Sequence, residues 1–348
     1  MKRVTFTLFI LCLNWLICSA QVGRFRILEY NIENMFDTLH CEGKQDKSFT
    51  PRGEYQWNSA KYWSKIGKIA RIIASASGKS AADIVGLIEI ENDSVVYDLT
   101  KRTKLRRMGY DHIITHSKDV RGINVALLYQ RARFNPLLVE NIRIAPPTIK
   151  GMRPTRDILH VMGEVFTGDT LNIFLCHFPS KKGGKAADIY RDEVAAKVKH
   201  KADSVANARP HAKIIIMGDF NAYYPEKLFN KTLETRIATP TDSIEAKALY
   251  LLTDRMEASN GIKGTYKFRG EWNQLDNFIV SGALLKNTGN GLLYTNKSMC
   301  KIVDLPALLQ KDKKGDGVHP YRALLGHFYQ GGFSDHLPIL LDLEYAYK

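Results

Sequence analysis

Four consecutive apolar residues, Ile214-Ile215-Ile216-Met217, constrain this chain more than any other stretch. A short apolar run without polar alternation reads as a strand buried on both faces, inside a sheet that is covered on each side. Gly218 permits a close turn at its end, and Asp219 and Asn221 follow two residues apart. In extended backbone, residues i and i+2 point the same way. A carboxylate and an amide therefore leave a rigid strand side by side. An ordinary Asp/Asn turn would use the same residues without any function. The balance shifts because further stretches repeat the pattern of an apolar run followed by a polar cluster.

Asn31 and Glu33 follow the run from Phe25 to Tyr30, Glu89 follows Ile84 to Ile88, and His177 follows Ile173 to Cys176. Ser334-Asp335-His336 opens the last apolar run, and Asp276 stands within Gln274-Leu275-Asp276-Asn277. Singly, each has a bland reading: a histidine at a strand end is usually structural, and Glu89 alone could face solvent. Together they supply acids, amides and two histidines with no thiolate. Such donors suit Mg²⁺ or Mn²⁺ rather than zinc, and a metal-assisted hydrolysis with general acid–base help. Neither a serine nucleophile elbow nor a P-loop is present, which disfavours acyl transfer and nucleotide-driven work.

Residues 58–76 place Tyr62, Ile66, Ile69, Ala70 and Ile73 at helical spacing, with Asn58 as N-cap and Gly78 as stop. Further helices are expected over 95–108, 187–207, 225–236 and 244–258, and strands over 83–91, 110–115, 123–129, 137–144, 158–166, 170–177, 264–268, 275–280 and 337–343. Residues 297–332 look least regular, with a basic knot at Lys311-Asp312-Lys313-Lys314.

Lys2-Arg3, an apolar run from Val4 to Ile17, and Cys18-Ser19-Ala20 read as a secretory signal peptide over 1–20. Residues 21–348 are then expected as one exported, monomeric domain with no integral membrane segment. The formal charge of +14, less Lys2 and Arg3, leaves +12 on that part. Such a charge favours polyanions: nucleic acid first, anionic lipid headgroups second. Of five cysteines, Cys41, Cys176 and Cys300 remain after the leader. Cys176 reads as a core residue, and a single bridge from Cys41 to Cys300 is allowed.

The ordered series Tyr30-Asn31-Ile32-Glu33-Asn34, Gly86-Leu87-Ile88-Glu89, His177-Phe178-Pro179-Ser180, Gly218-Asp219-Phe220-Asn221, Leu275-Asp276 and Ser334-Asp335-His336-Leu337-Pro338 resembles the endonuclease/exonuclease/phosphatase family. Its nearest likeness is to exported bacterial members of Bacteroides-like origin. The resemblance implies an α+β fold: a four-layer αββα sandwich of two packed mixed sheets flanked by helices. It implies Mg²⁺ or Mn²⁺ held by Glu89 with Asn31, Asp335 and Glu33. Asp219 and Asn221 would orient the attacking water, with Asp219 as base. His336 would meet the phosphate, Asp276 would fix a histidine tautomer, and His177 would be the acid for the leaving oxygen. Arg156 and Tyr129 would reach the phosphate. Ile88 stands where many relatives carry glutamine, which leaves the ligand set itself intact. The implied activity is phosphoric ester hydrolysis, with a nuclease first and a phospholipid, sphingomyelin, phosphoinositide or small-ester hydrolase as alternatives. An inactive polyanion-binding module is the alternative of another class.

Overall fold

The computed structural model describes residues 21–76, 78, 80–239, 243–286, 292–312 and 317–347. The leader 1–20, together with Lys313 and Lys314 of the basic knot, lies outside the described residues.

Two six-stranded mixed sheets form the centre. In spatial order the first contains Cys300–Ile302, Ile339–Tyr347, Gln21–Met35, Ile84–Ile90, Asn124–Gln130 and Tyr110–Ile114. The second contains Phe134–Ile142, Ile158–Val165, Thr170–His177, Lys213–Asp219, Asp276–Ser281 and Leu249–Leu251. Each sheet holds one parallel pair at its middle: Gln21–Met35 with Ile84–Ile90, and Thr170–His177 with Lys213–Asp219. A parallel pair needs a crossover, and those crossovers supply the helices Ser59–Ala76 and Gly184–Ala208.

The strand at 214–217 shows how the layers form. Ile215 and Met217 join one core with Ile173, Leu175, Phe278 and residues of the first sheet. Ile214 and Ile216 join another with Tyr190, Val194 and Val198 of the long helix. Period-2 alternation thus splits one apolar run between two layers, and burying each such side chain contributes roughly 1.5–3 kcal/mol. Gly86 lets the sheets meet, because a Cβ there would lie 2.8 Å from both Leu175 and Met217.

The helix Ser59–Ala76 starts where Asn58 Oδ1 accepts the Lys61 N–H at 3.1 Å, and Gly78 follows its end with φ +77°. The segment 95–108 divides into a helix Asp93–Lys101 and a 3₁₀ turn Lys104–Met108. Two expected helices are corrected. At 225–236 only a π-helical turn, Leu228–Thr232, forms. At 244–258 the buried Leu249–Leu251 pairs instead with Asp276–Ser281, and burial against a sheet edge overrides helix propensity. Residues 297–332 hold short paired strands: Leu309–Lys311 with Val318–Pro320, and Leu324–Leu325 with Phe328–Tyr329. Cys176 is buried as expected. Cys41 and Cys300 are both free, Cys41 exposed and Cys300 buried on a paired strand, so the bridge does not form. Among the described residues no helix is long and apolar enough to cross a membrane.

Candidate active site

The site is built by strand register. His177 stands opposite Asp219, and Asp219 opposite Asp276, on three adjacent strands of the second sheet. Neighbouring strands are about 4.8 Å apart, so the three side chains form a row. The first sheet brings Asn31 beside Ile88 on its parallel pair, with Glu89 one residue further, where the register of both neighbours shifts. His336 precedes the last strand, and Ser334 anchors it by donating to the Asn31 carbonyl at 2.6 Å.

These groups meet across the cleft between the sheets. Asn31 Nδ2 donates to Asp219 Oδ2 at 3.1 Å. The Asn221 N–H donates to Asp219 Oδ1 at 2.8 Å, and Asn221 Nδ2 donates to the Phe178 carbonyl at 3.1 Å. His177 Nε2 lies 3.8 Å from Glu89 Oε1 and 3.6 Å from Asp219 Oδ2. His336 Nδ1 is 2.7 Å from Asp276 Oδ2, which also accepts from the Thr265 hydroxyl. Gly218 makes the row possible: at φ +137° its missing Cβ would sit 1.9 Å from the Cys176 carbonyl.

Four non-glycine residues of this rim occupy the left-handed region: Glu33 (φ 49°), Asn34 (51°), Glu89 (66°) and Asn221 (47°). Such backbone costs of order 1 kcal/mol or more per residue and persists where other bonds hold it. Here the Asn34 N–H donates to Glu89 Oε2 at 2.8 Å, and Asn221 is held by Asp219 as above.

The electrostatics are those of crowded buried acids. Burial raises Asp219 above the usual carboxylate range; His336 pulls it back and Asp276 adds to the rise. Burial opposes protonation of His336, but Asp276, Asp219 and Asp335 outweigh it and hold the imidazole protonated well above its ordinary range. His177 is pushed the other way, first by burial and then by Arg156, Arg121 and His336, so its ring is neutral. The cationic imidazole is therefore His336.

Among the described residues, one set of three acid or histidine side chains has ligand atoms within 4.8 Å of one another: Asp219, Asp276 and His336. Asp276 Oδ1 is buried with no partner. An excess of buried carboxylate oxygen with little thiol or free imidazole fits a hard, oxygen-seeking divalent ion.

Four other expected site residues lie elsewhere or are already committed. Both Glu33 oxygens accept backbone N–H groups, from Ala323 at 2.6 Å and Leu324 at 3.2 Å. Asp335 pairs with Arg322 at 2.7 Å. Glu33 thus ties the segment that begins at Arg322 to the first sheet, while the Asp335–Arg322 pair closes within that segment. Arg156 is buried, donates to the Phe178 carbonyl at 2.6 Å and pairs with Asp119 at 3.4 Å. Tyr129 is not brought to the cleft at all. It pairs with Ile84, five residues from Glu89 along the strand, roughly 17 Å away, and bonds Asp111.

Sequence reasoning missed several neighbours. Arg121 contacts Glu89 Oε1 at 3.4 Å and also donates to Asn34, and no pattern in its loop marks it. Lys65 is fully buried and donates to the Glu33 carbonyl. Its signal was readable: it lies three residues after Tyr62 and four before Ile69, on the apolar stripe. Glu29, two residues before Asn31, is buried with both oxygens unpartnered, and burial raises it well above the carboxylate range. A lone acid inside an apolar strand was its signal.

The Endonuclease/Exonuclease/phosphatase family profile matches residues 26–345, so the chain belongs to this family of phosphoester hydrolases. Similar solved structures include an endonuclease/exonuclease/phosphatase family protein from Bacteroides thetaiotaomicron (16% identity, 94% of this chain and 100% of that one, TM-score 0.58). A mannosyl-6-phosphatase from the same organism is 17% identical over 92% of this chain and 99% of that one, with a TM-score of 0.56. TDP2 from D. rerio, complexed with a single-strand DNA product, is 14% identical over 92% and 99%, with a TM-score of 0.52. At these identities the likeness establishes the shared sandwich fold. No curated protein matches the chain.

Proposed function

We propose that this protein is an exported, divalent-metal-dependent phosphodiesterase acting on nucleic acid. The observation that carries the hydrolase reading is the in-register row His177, Asp219, Asp276, faced by Asn31 and Glu89 and closed by a protonated His336. Asp219 accepts a proton from the attacking water, which Asn221 helps to orient. A new oxygen–phosphorus bond forms as the bond to the leaving oxygen breaks. His336 meets the charge that develops on the phosphoryl oxygens, and Asp276, accepting from Nδ1, fixes the orientation of its ring. His177 faces the same space and is the acid for the leaving oxygen: its ring is neutral at rest, so it first takes up a proton from solvent, which an anionic substrate favours by offsetting Arg156 and Arg121, and then hands that proton over. Glu89 and Asn31, with Asp219 across the cleft, would hold Mg²⁺ or Mn²⁺. That ion, when bound, supplies Lewis-acid stabilisation of phosphoryl charge.

The charge of the chain favours a polyanion, but its basic stretches do not contribute equally. Lys101, Arg102, Arg106 and Arg107 flank the strand that begins at Tyr110, on the Tyr129 side of the sheet and away from the cleft. The exposed Lys181 and Lys182 stand four and five residues after His177; Lys181 pairs with Glu226 at 2.6 Å, and Lys182 would meet a bound strand. A small phosphate ester is the second reading, favoured by the small cavity described below.

One panel tests the assignment: plasmid DNA, RNA, sphingomyelin, phosphatidylinositol phosphates and sugar phosphates with Mg²⁺ at several salt concentrations. A nuclease cleaves DNA or RNA and slows steeply as salt rises. Intact DNA and RNA at low salt, with a lipid or small ester consumed, would discard the nuclease reading and leave the hydrolase class.

A further inference from the structure

A cavity of about 320 Å³ opens beside the reaction cleft, between the hairpins Tyr266–Phe268/Glu271–Asn273 and Leu309–Lys311/Val318–Pro320. Four cations line it, Lys267, Arg269, Lys311 and Arg322, against two acids, Asp312 and Asp335. Lys267 ties the two hairpins together, lying 3.1 Å from Asp312 and donating to the Val318 carbonyl at 3.1 Å. The cavity is also in fixed register with the reaction centre. Tyr266 bridges His336 through the backbone and lies 4.9 Å from its ring, and the Leu337 N–H donates to the Thr265 carbonyl at 2.8 Å. Arg322 is the shared wall: it pairs with Asp335 at 2.7 Å and lies 3.8 Å from Glu33. Arg269 and Lys311 are exposed, and neither forms an ion pair among the described residues.

We propose that this cavity binds a second anionic group of the substrate, one sugar-sized step from the phosphorus that is attacked. The inference rests on the phosphoester reading above. The size is at the small end of ligand cavities, which run from roughly 300 to 1,000 Å³, so it takes one phosphorylated sugar or nucleotide unit and not a duplex. Net positive lining selects an anion, and the side chains add hydrogen-bond donors suited to phosphate oxygens. The reaction centre handles one phosphate, while the cavity reads whether another lies next to it. Two sources share this chemistry, the neighbouring phosphate of a nucleotide chain and the second phosphate of a small sugar ester.

The test compares wild type with an Arg269→Gln/Lys311→Gln double variant, both changes being at exposed positions. Steady-state kinetics use a 5′-phosphorylated dinucleotide, a hexose bisphosphate and bis-p-nitrophenyl phosphate, which has no second anion. Losing two charge contacts should raise KM about tenfold for a substrate with a second anion relative to bis-p-nitrophenyl phosphate, with kcat little changed. A rise for the dinucleotide alone, or for the sugar alone, supports the cavity and names its source. An equal KM ratio in both proteins, with bis-p-nitrophenyl phosphate still cleaved, overturns the cavity and leaves the hydrolase reading standing. Calorimetric titration of nucleoside 3′,5′-bisphosphate in EDTA separates the two ideas without turnover. Binding that weakens at least fivefold in the variant supports the cavity even if no ester is hydrolysed, and equal or absent binding overturns it.

Discussion

The two ends of the sandwich are built from the same strands and use their acids in opposite ways. At the end that holds Tyr129, Asp111 and Asp83 each have a matched arginine. Asp111 accepts from Arg131 Nε at 2.8 Å, and Asp83 lies 2.6 Å from Arg133 Nε while accepting the Arg26 N–H at 2.7 Å. Bonds from Arg131 hold Asp111 below the usual carboxylate range in spite of its burial. At the other end Asp219, Asp276, Glu29 and Glu89 crowd together, Glu29 lacks any partner, and Asp276 has an unpartnered oxygen. Four non-glycine residues there keep left-handed backbone. Crowded buried acids and held strain cost stability, and a fold keeps them where they act on something. Matched acids at the far end serve the fold.

This contrast can be broken by mutation. The largest effect belongs to Glu89→Ala, Asp219→Ala and His336→Ala. Each should lower kcat on a phosphodiester by at least about a hundredfold with a circular dichroism spectrum like wild type, since each removes a group acting on the transition state. His177→Ala comes next: a loss of about tenfold or more with an alkyl leaving group and much less with p-nitrophenolate, which needs no proton. Equal losses with both would remove its role as acid. A smaller effect concerns stability. His160 is buried, stacked on Phe174 at 4.2 Å, and held below its ordinary range by that burial. The unfolded chain takes up a proton near pH 6.5 that folded His160 refuses. Its contribution is thus present above that pH and lost as pH falls. Melting temperature should drop between pH 7 and 5, and less steeply in His160→Gln. The smallest effect is Tyr129→Phe, which should change kcat/KM less than about twofold, because its hydroxyl bonds Asp111 at the far end.

Much of the near end was legible because it rests on local patterns. Apolar runs that end in Asp, Asn, Glu or His name the strands and the side chains at their tips, and Ile214 to Asn221 folds as read. What escaped was partner choice. Glu33 and Asp335 look like ligands by type and place. Yet Glu33 is consumed by backbone amides of Ala323 and Leu324, almost three hundred residues away in sequence. Tyr129 sits at a strand end, but register puts it at the wrong one. Arg121 comes from a loop with no period to read. The helices expected at 225–236 and 244–258 failed for a related reason, since long-range pairing at Leu249–Leu251 outweighs local spacing.

The central claim is that the crowded acids of the near end form a metal-dependent phosphoester-cleaving centre. The most direct test measures bis-p-nitrophenyl phosphate hydrolysis by purified protein with Mg²⁺ or Mn²⁺, again in excess EDTA, and in Asp219→Ala. The account predicts turnover with the ion, at least about a hundredfold less in EDTA or in the variant, and recovery when the ion is restored to wild type. Turnover that persists in EDTA, or that survives the loss of Asp219, would contradict it.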